Sequence, residues 1–184
     1  MDETRLLRTL RAVRSYADEP IPDAVLVDIL DAGRWTGSSK NTQPWELVVV
    51  RDRATLEALS RLGAFAGHLA GAACGVALIM SGTSPSVEFD AGRLAQTVML
   101  AAWAHGVGSC IASLYPADNQ RHAAELLGVP LDRQFYTVVA LGYPSDAGSM
   151  RLRSAPANVR AAVPVGRKGR RELISWEHYG KPHP

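Results

Sequence analysis

Apolar residues recur along most of the chain in two rhythms, one helical and one strand-like. Leu6, Leu7, Leu10 and Val13 fall at helical spacing and predict a helix over Thr4–Val13, with Arg11 and Arg14 at its end. Pro22-Asp23 suits the start of a second helix, whose inner face carries Val25, Leu26, Ile29 and Leu30 and whose exit is marked by Gly33 and Gly37. A polar loop over residues 37–43 follows. Pro44 is expected to hold Gln43 extended, and Trp45–Val50 has the β-branched, apolar character of a buried strand.

The second half continues in the same way. Asp52 is placed to cap a helix running through Leu62, Ala64–Ala73 reads as helical, and Gly75–Ser81 is a second buried strand. Asp90–Ala104 predicts a long core helix with Leu94, Val98, Ala101 and Ala102 inward, closed by His105-Gly106. A strand near Gly108–Ser113, a helix near Asn119–Leu127 capped by Asp118, and a strand at Phe135–Leu141 complete the order. Helices and strands alternate without strict regularity, and no repeat or low-complexity segment interrupts them.

Composition narrows the class. The 184 residues are 47% hydrophobic and 21% charged, enough apolar material for one sizeable core. Stretches such as Gly75–Met80 are far shorter than the ~20 residues of a membrane-spanning helix, and the first residues lack a secretory pattern, so a cytoplasmic protein without a membrane partner is expected. Cys74 and Cys110 lie in apolar runs and read as buried thiols. The five histidines show no ligand spacing, so no metal is assigned.

The net charge of +2 hides an asymmetry. Residues 151–184 carry eight Lys/Arg against two acids, whereas residues 1–150 carry twelve against sixteen. The tail shows neither a basic face with stacking aromatics nor a groove-reading helix, so a solvated tail is the simpler reading and no nucleic-acid partner is expected.

Common chemistries are then excluded one by one. Gly106-Val107-Gly108 begins like a dinucleotide fingerprint, but Ile111 stands where the third glycine belongs and the segment enters a strand. Neither a phosphate-cradling G-x-x-x-x-G-K-[ST] run nor a G-x-S-x-G elbow occurs. Asp18-Glu19, Asp28 and Asp31 read as turn and solvent-face acids. A chain without nucleophile or acid–base motifs suits a reaction carried by a bound organic cofactor, for which protein supplies orientation and hydrogen bonds.

Three segments, in order, carry a resemblance. Leu10-Arg11-Ala12-Val13-Arg14-Ser15-Tyr16 with Glu19-Pro20-Ile21-Pro22 is similar to an R-R-S-x-R-x-F opening with an x-P-x-P exit. Arg34–Trp45 is similar to a P-S-x-x-N-x-Q-P-W loop. Gly106–Leu114, Leu141-Gly142-Tyr143-Pro144 and Arg151-Leu152-Arg153 form the third. Together they resemble the nitroreductase family, departing from it at Leu10, Ala12 and Gly37.

The resemblance implies an α+β fold, with a central, mainly antiparallel sheet flanked by helices, in an intertwined homodimer. It implies residues 1–150 as the FMN-binding core and residues 151–184 as a basic extension of the same domain that packs on the partner, where Trp176-Glu177-His178-Tyr179-Gly180 is similar to the ending of some members. Arg11, Arg14, Arg151 and Arg153 would bind the FMN phosphate, with Ala12 beside them. Gly37, Ser38, Ser39 and Asn41 would meet the flavin's polar edge and ribityl chain from the partner subunit, and Ile111, Ser113 and Leu114 would present backbone amides to flavin N5 and O4. The implied reaction moves hydride from NADH or NADPH to a nitroaromatic, quinone or similar small-molecule acceptor by a ping-pong scheme, with no catalytic side chain assigned. Flavin fragmentation, dehalogenation and simple flavin binding remain open alternatives. His68 lies near the segment that meets the pyrimidine ring in such proteins, but reads more simply as a surface histidine.

Overall fold

The computed structural model of the chain describes residues 3–146 and 167–181. The chain divides into two compact units, residues 1–154 and 155–184. In the first, helices α1 (Glu3–Thr9), α2 (Asp23–Arg34), α3 (Arg53–Ser60), α4 (Pro85–Ala104) and α5 (Ala117–Leu126) surround strands β1 (Trp45–Val50), β2 (Cys74–Met80), β3 (Gly108–Ala112) and β4 (Gln134–Gly142). The strands form one sheet in the order β1-β2-β4-β3, antiparallel at every pairing.

Strand alternation explains the layering. On β2, Ala77 and Ile79 face a core shared with Leu56, Leu59 and Ala123, whereas Val76 and Leu78 face Ile29, Leu94 and Val98. One face is thus covered by α3 and α5 and the other by α2 and α4. This is why all of β2 is buried and reads as an unbroken apolar run. A fully buried leucine such as Leu94 contributes on the order of 2 kcal/mol by leaving water.

Several boundaries differ from the expectations. The first helix stops at Thr9, because Ala12 pairs with Ser109 as an isolated parallel bridge and Val13 N–H donates to the Ser109 carbonyl at 2.9 Å. A helix through Val13 would forfeit that docking. α4 begins at Pro85 instead of Asp90, with proline supplying a preset first-turn backbone that periodicity does not register. Ala64–Ala73 condenses to a short 3-10 turn over Gly67–Gly71. Asp118 lies inside the first turn of α5, and its side chain pairs with Arg121 instead of capping. Asp52 does cap α3, accepting from Thr55 N at 2.8 Å.

In the second unit the described residues form a short helix α6 (Arg170–Leu173), whose Glu172 carboxylate accepts from Gly169 N at 3.0 Å. A turn follows, closed by Trp176 N donating to Lys181 O at 2.7 Å. Leu173, Ile174, Trp176 and Tyr179 are exposed there.

Candidate functional site

The expected binding residues gather at two places on the sheet. The first is at the β3 edge. Arg11, Ala12 and Arg14 line a cleft of about 300 Å³ together with Ile111, Cys110 and Ser109. The docking depends on Gly108, where a Cβ would stand 2.7 Å from the Val13 side chain. The α1 end is also tied to α4, because Trp103 Nε1 donates to Thr9 Oγ1 at 3.0 Å.

Arg11 and Arg14 are both exposed at this cleft. Arg11 Nη1 donates to the carbonyls of Arg8 and Leu10, each at 2.8 Å, which leaves its remaining donors available. Arg14 forms no ion pair among the described residues. Below them, the Ser109 hydroxyl is buried without a partner. Two guanidiniums over a strand edge form a donor set suited to a phosphate.

Strand alternation also sets the backbone. The Ser109 carbonyl faces outward to Val13, and the Ala112 carbonyl faces β4, accepting from Thr137 Oγ1 at 3.0 Å. Backbone groups two residues apart point the same way, so those of Ile111 face the open edge with those of Ser109. Ser113 itself is exposed, and Leu114 is fully buried. The segment from Gly63 folds against them, with a Cβ at Gly63 standing 2.4 Å from the Ser113 carbonyl oxygen.

Beneath this edge lie groups that sequence reasoning undervalued. His68 is buried, not on the surface: its Nδ1 lies 3.1 Å from the Phe65 carbonyl and its Nε2 has no partner. Desolvation lowers its pKa, and the nearby Arg14 charge lowers it further against the pull of the Cys110 and Phe65 carbonyls. Tyr16 donates to the Val13 carbonyl at 2.7 Å, and burial pushes its phenol well above the ordinary range. Burial likewise raises the Cys110 thiol.

The second place is the loop before β1. Ser38, Ser39 and Asn41 cluster in a tight bend, and Gly37 lines a separate groove between α2 and α4 with Trp35, Phe89 and Arg93. Gln43, expected to be extended, has φ of 46°, because its N–H turns back to donate to Ser38 Oγ at 2.9 Å. None of residues 37–43 contributes to the wall of the β3 cleft. Arg151 and Arg153 lie outside the described residues.

A family model described as the nitroreductase family matches residues 7–65 and 64–143. The chain belongs to the nitroreductase family. It is 32% identical over 148 residues to an Archaeoglobus fulgidus protein provisionally named an NADH dehydrogenase/NAD(P)H nitroreductase, covering 77% of this chain and 85% of that one. Among solved structures, an FMN-dependent nitroreductase from Clostridium difficile aligns with a TM-score of 0.77 at 22% identity, covering 95% and 98% of the two chains. A provisionally named nitroreductase from Desulfovibrio desulfuricans in complex with FMN aligns with a TM-score of 0.70 at 23% identity, covering 92% and 98%.

In this nitroreductase-family chain the two places lie at opposite corners of one sheet. β1 and β3 are its two edges, three strand spacings or ~14 Å apart. Trp45, where the loop enters, is level with Met80 and Gln134, whereas Ile111 is level with Val139, Val76 and Val49. That adds four residues, ~14 Å, along the strand direction.

Proposed function

We propose that this chain is an FMN-dependent oxidoreductase that moves electrons from NADH or NADPH to an electron-poor small molecule such as a nitroaromatic or quinone. The observation that carries this reading is the β3 cleft, where two exposed guanidiniums, a partnerless buried hydroxyl and an outward-facing backbone edge converge. The fit to FMN rests on that donor set: Arg11 and Arg14 for the phosphate, and the Ile111 and Ser113 backbone for the ring's polar edge. The FMN named in the two neighbouring structures supports the same choice.

Bound there, FMN supplies the hydride chemistry at its own ring, so both substrates can use one face in turn. The chain's contribution is orientation. Arg11 and Arg14 fix the charged end, and fixed amides at the β3 edge favour added electron density without any proton leaving the protein. Leu114 and the Gly63 segment exclude water from the inner side.

The chain acts as a homodimer in this reading, because Ser38, Ser39 and Asn41 sit at the far corner of their own sheet and complete the site of a second copy. Arg151 and Arg153 would extend the phosphate contacts, and the basic extension would pack on that copy. The test is direct. Purified protein should carry FMN and lose its yellow absorbance when mixed anaerobically with NADH or NADPH. A protein that takes up no FMN, or whose flavin neither nucleotide bleaches, overturns the reading.

A further inference from the structure

The loop before β1 is bent where a polypeptide resists bending. Lys40, Asn41 and Gln43 have φ of 52°, 54° and 46°, in the left-handed region where a Cβ crowds its own carbonyl. Asparagine tolerates this; lysine and glutamine do so only when their surroundings force them. Much of that force is internal. Ser38 Oγ accepts from Gln43 N at 2.9 Å, Thr42 Oγ1 donates to Ser39 O at 3.0 Å, and Asn41 N donates to Ser38 O at 3.1 Å.

One bond is not local. Ser39 N–H donates at 2.9 Å to Oδ2 of Asp90, which lies 51 residues away in the second turn of α4 and is only 2% exposed. The other carboxylate oxygen accepts from Arg93 Nη1 at 3.2 Å, and the Arg93 guanidinium reaches over Gly37 at the loop's entrance. A buried carboxylate is a costly way to fill a helix–loop contact, which an apolar side chain would fill more cheaply. Its two oxygens here join the loop to the helix. Removing it would leave the Ser39 amide without its anchor and the bend without its tie to the rigid core.

We infer that Asp90, oriented by Arg93, is a positioning residue that holds Ser38, Ser39 and Asn41 in the shape in which they meet FMN bound to the partner. This rests on the FMN-binding reading above. Asp90 touches no cofactor; it acts by preforming the loop, so that binding does not have to order it.

The test uses full-length apoprotein titrated with FMN, together with hydrogen exchange of the Ser39 amide. Asp90→Ala should raise the FMN dissociation constant about tenfold, the loss expected for a hydrogen bond to a charged group. Asp90→Asn keeps an oxygen for Ser39 N–H and should raise it by only about a third of that factor. Adding Asp90→Ala to Asn41→Ala should cost little beyond Asn41→Ala alone, because the loop would then have less to position. Unchanged FMN affinity in folded Asp90→Ala, or losses that simply multiply, would overturn the proposal. If Asp90→Ala does not fold, Arg93→Ala decides: faster Ser39 exchange with weaker FMN binding supports the clamp, and faster exchange with unchanged binding overturns it. If the wild-type apoprotein takes up no FMN, the cofactor reading fails by itself, and an unprotected Ser39 amide would show separately that no clamp exists.

Discussion

The β3 edge and the loop before β1 are built by different means. At the β3 edge, charge does the work: an N-terminal segment is bridged onto the strand, and Arg11 and Arg14 stand over it. At the loop, shape does: the groups are neutral hydroxyls and an amide held in a strained bend. The first place gathers two cationic side chains and a strand edge at one cleft. The second offers polar groups at the diagonal corner, away from that cleft. Within one copy the two places lie at opposite corners of the sheet, and under the proposed function a two-fold pair would bring each cleft to the other copy's loop.

Reversing charge should break the first corner most severely. Arg14→Glu is expected to weaken FMN binding by on the order of 100-fold, because a phosphate and a carboxylate then repel where a charge-assisted hydrogen bond stood. Arg61→Glu, at an exposed site that pairs with Glu57, should leave the affinity near wild type. Titration of the apoproteins compares them, and equal losses would mean that the phosphate lies elsewhere.

A subtler change separates backbone from side chain at the same corner. Ser113→Ala keeps the N–H and should be reduced by the preferred nicotinamide at nearly the wild-type rate. Ser113→Pro lacks it and should slow by roughly tenfold or more, as loss of a fixed donor at developing charge does. Stopped-flow reduction of folded, FMN-loaded variants reads this out. A large loss in the alanine variant would point to the hydroxyl instead.

The smallest effect is a pH dependence that belongs to the β3 corner alone. His68 is buried there with its pKa lowered, chiefly by desolvation. Below its ordinary value of 6.5, the unfolded chain takes up a proton that the folded chain refuses, so stability falls as pH falls through that range. Thermal melts of the apoprotein between about pH 7 and pH 5 should show the decline, and His68→Gln should flatten it. Parallel slopes in the two proteins would remove His68 from the account.

Much of this was legible in the residues themselves. The unbroken apolar run of β2, the inner face of α2 and the Asp52 cap each follow from local spacing and local chemistry. What stayed hidden depends on partners distant in sequence. The end of α1 is set by Ser109, about a hundred positions away. Asp90 reads as an ordinary helical acid until Ser39 is seen bonded to it. His68 reads as a surface residue because groups near its ring, the Cys110 backbone and the Arg14 charge, lie more than forty positions away in sequence. The resemblance located Arg11, Arg14 and the serine loop. It also implied that the loop serves a partner subunit, and the fold adds the distance between the two places, on opposite edges of one sheet.

Mixed dimers distinguish a site shared between two copies from one built within a single chain. One chain would carry Arg14→Glu and the other Ser38→Ala with Asn41→Ala, distinguished by different affinity tags so that the heterodimer can be isolated. Each homodimer is expected to bind FMN poorly, at both sites. In the heterodimer one site collects both defects, while the other pairs an intact cationic cleft with an intact loop. One FMN per heterodimer is expected, bound with wild-type affinity. Weak binding at both heterodimer sites, no better than in the homodimers, would show that cleft and loop serve the same chain and would contradict a site shared between copies.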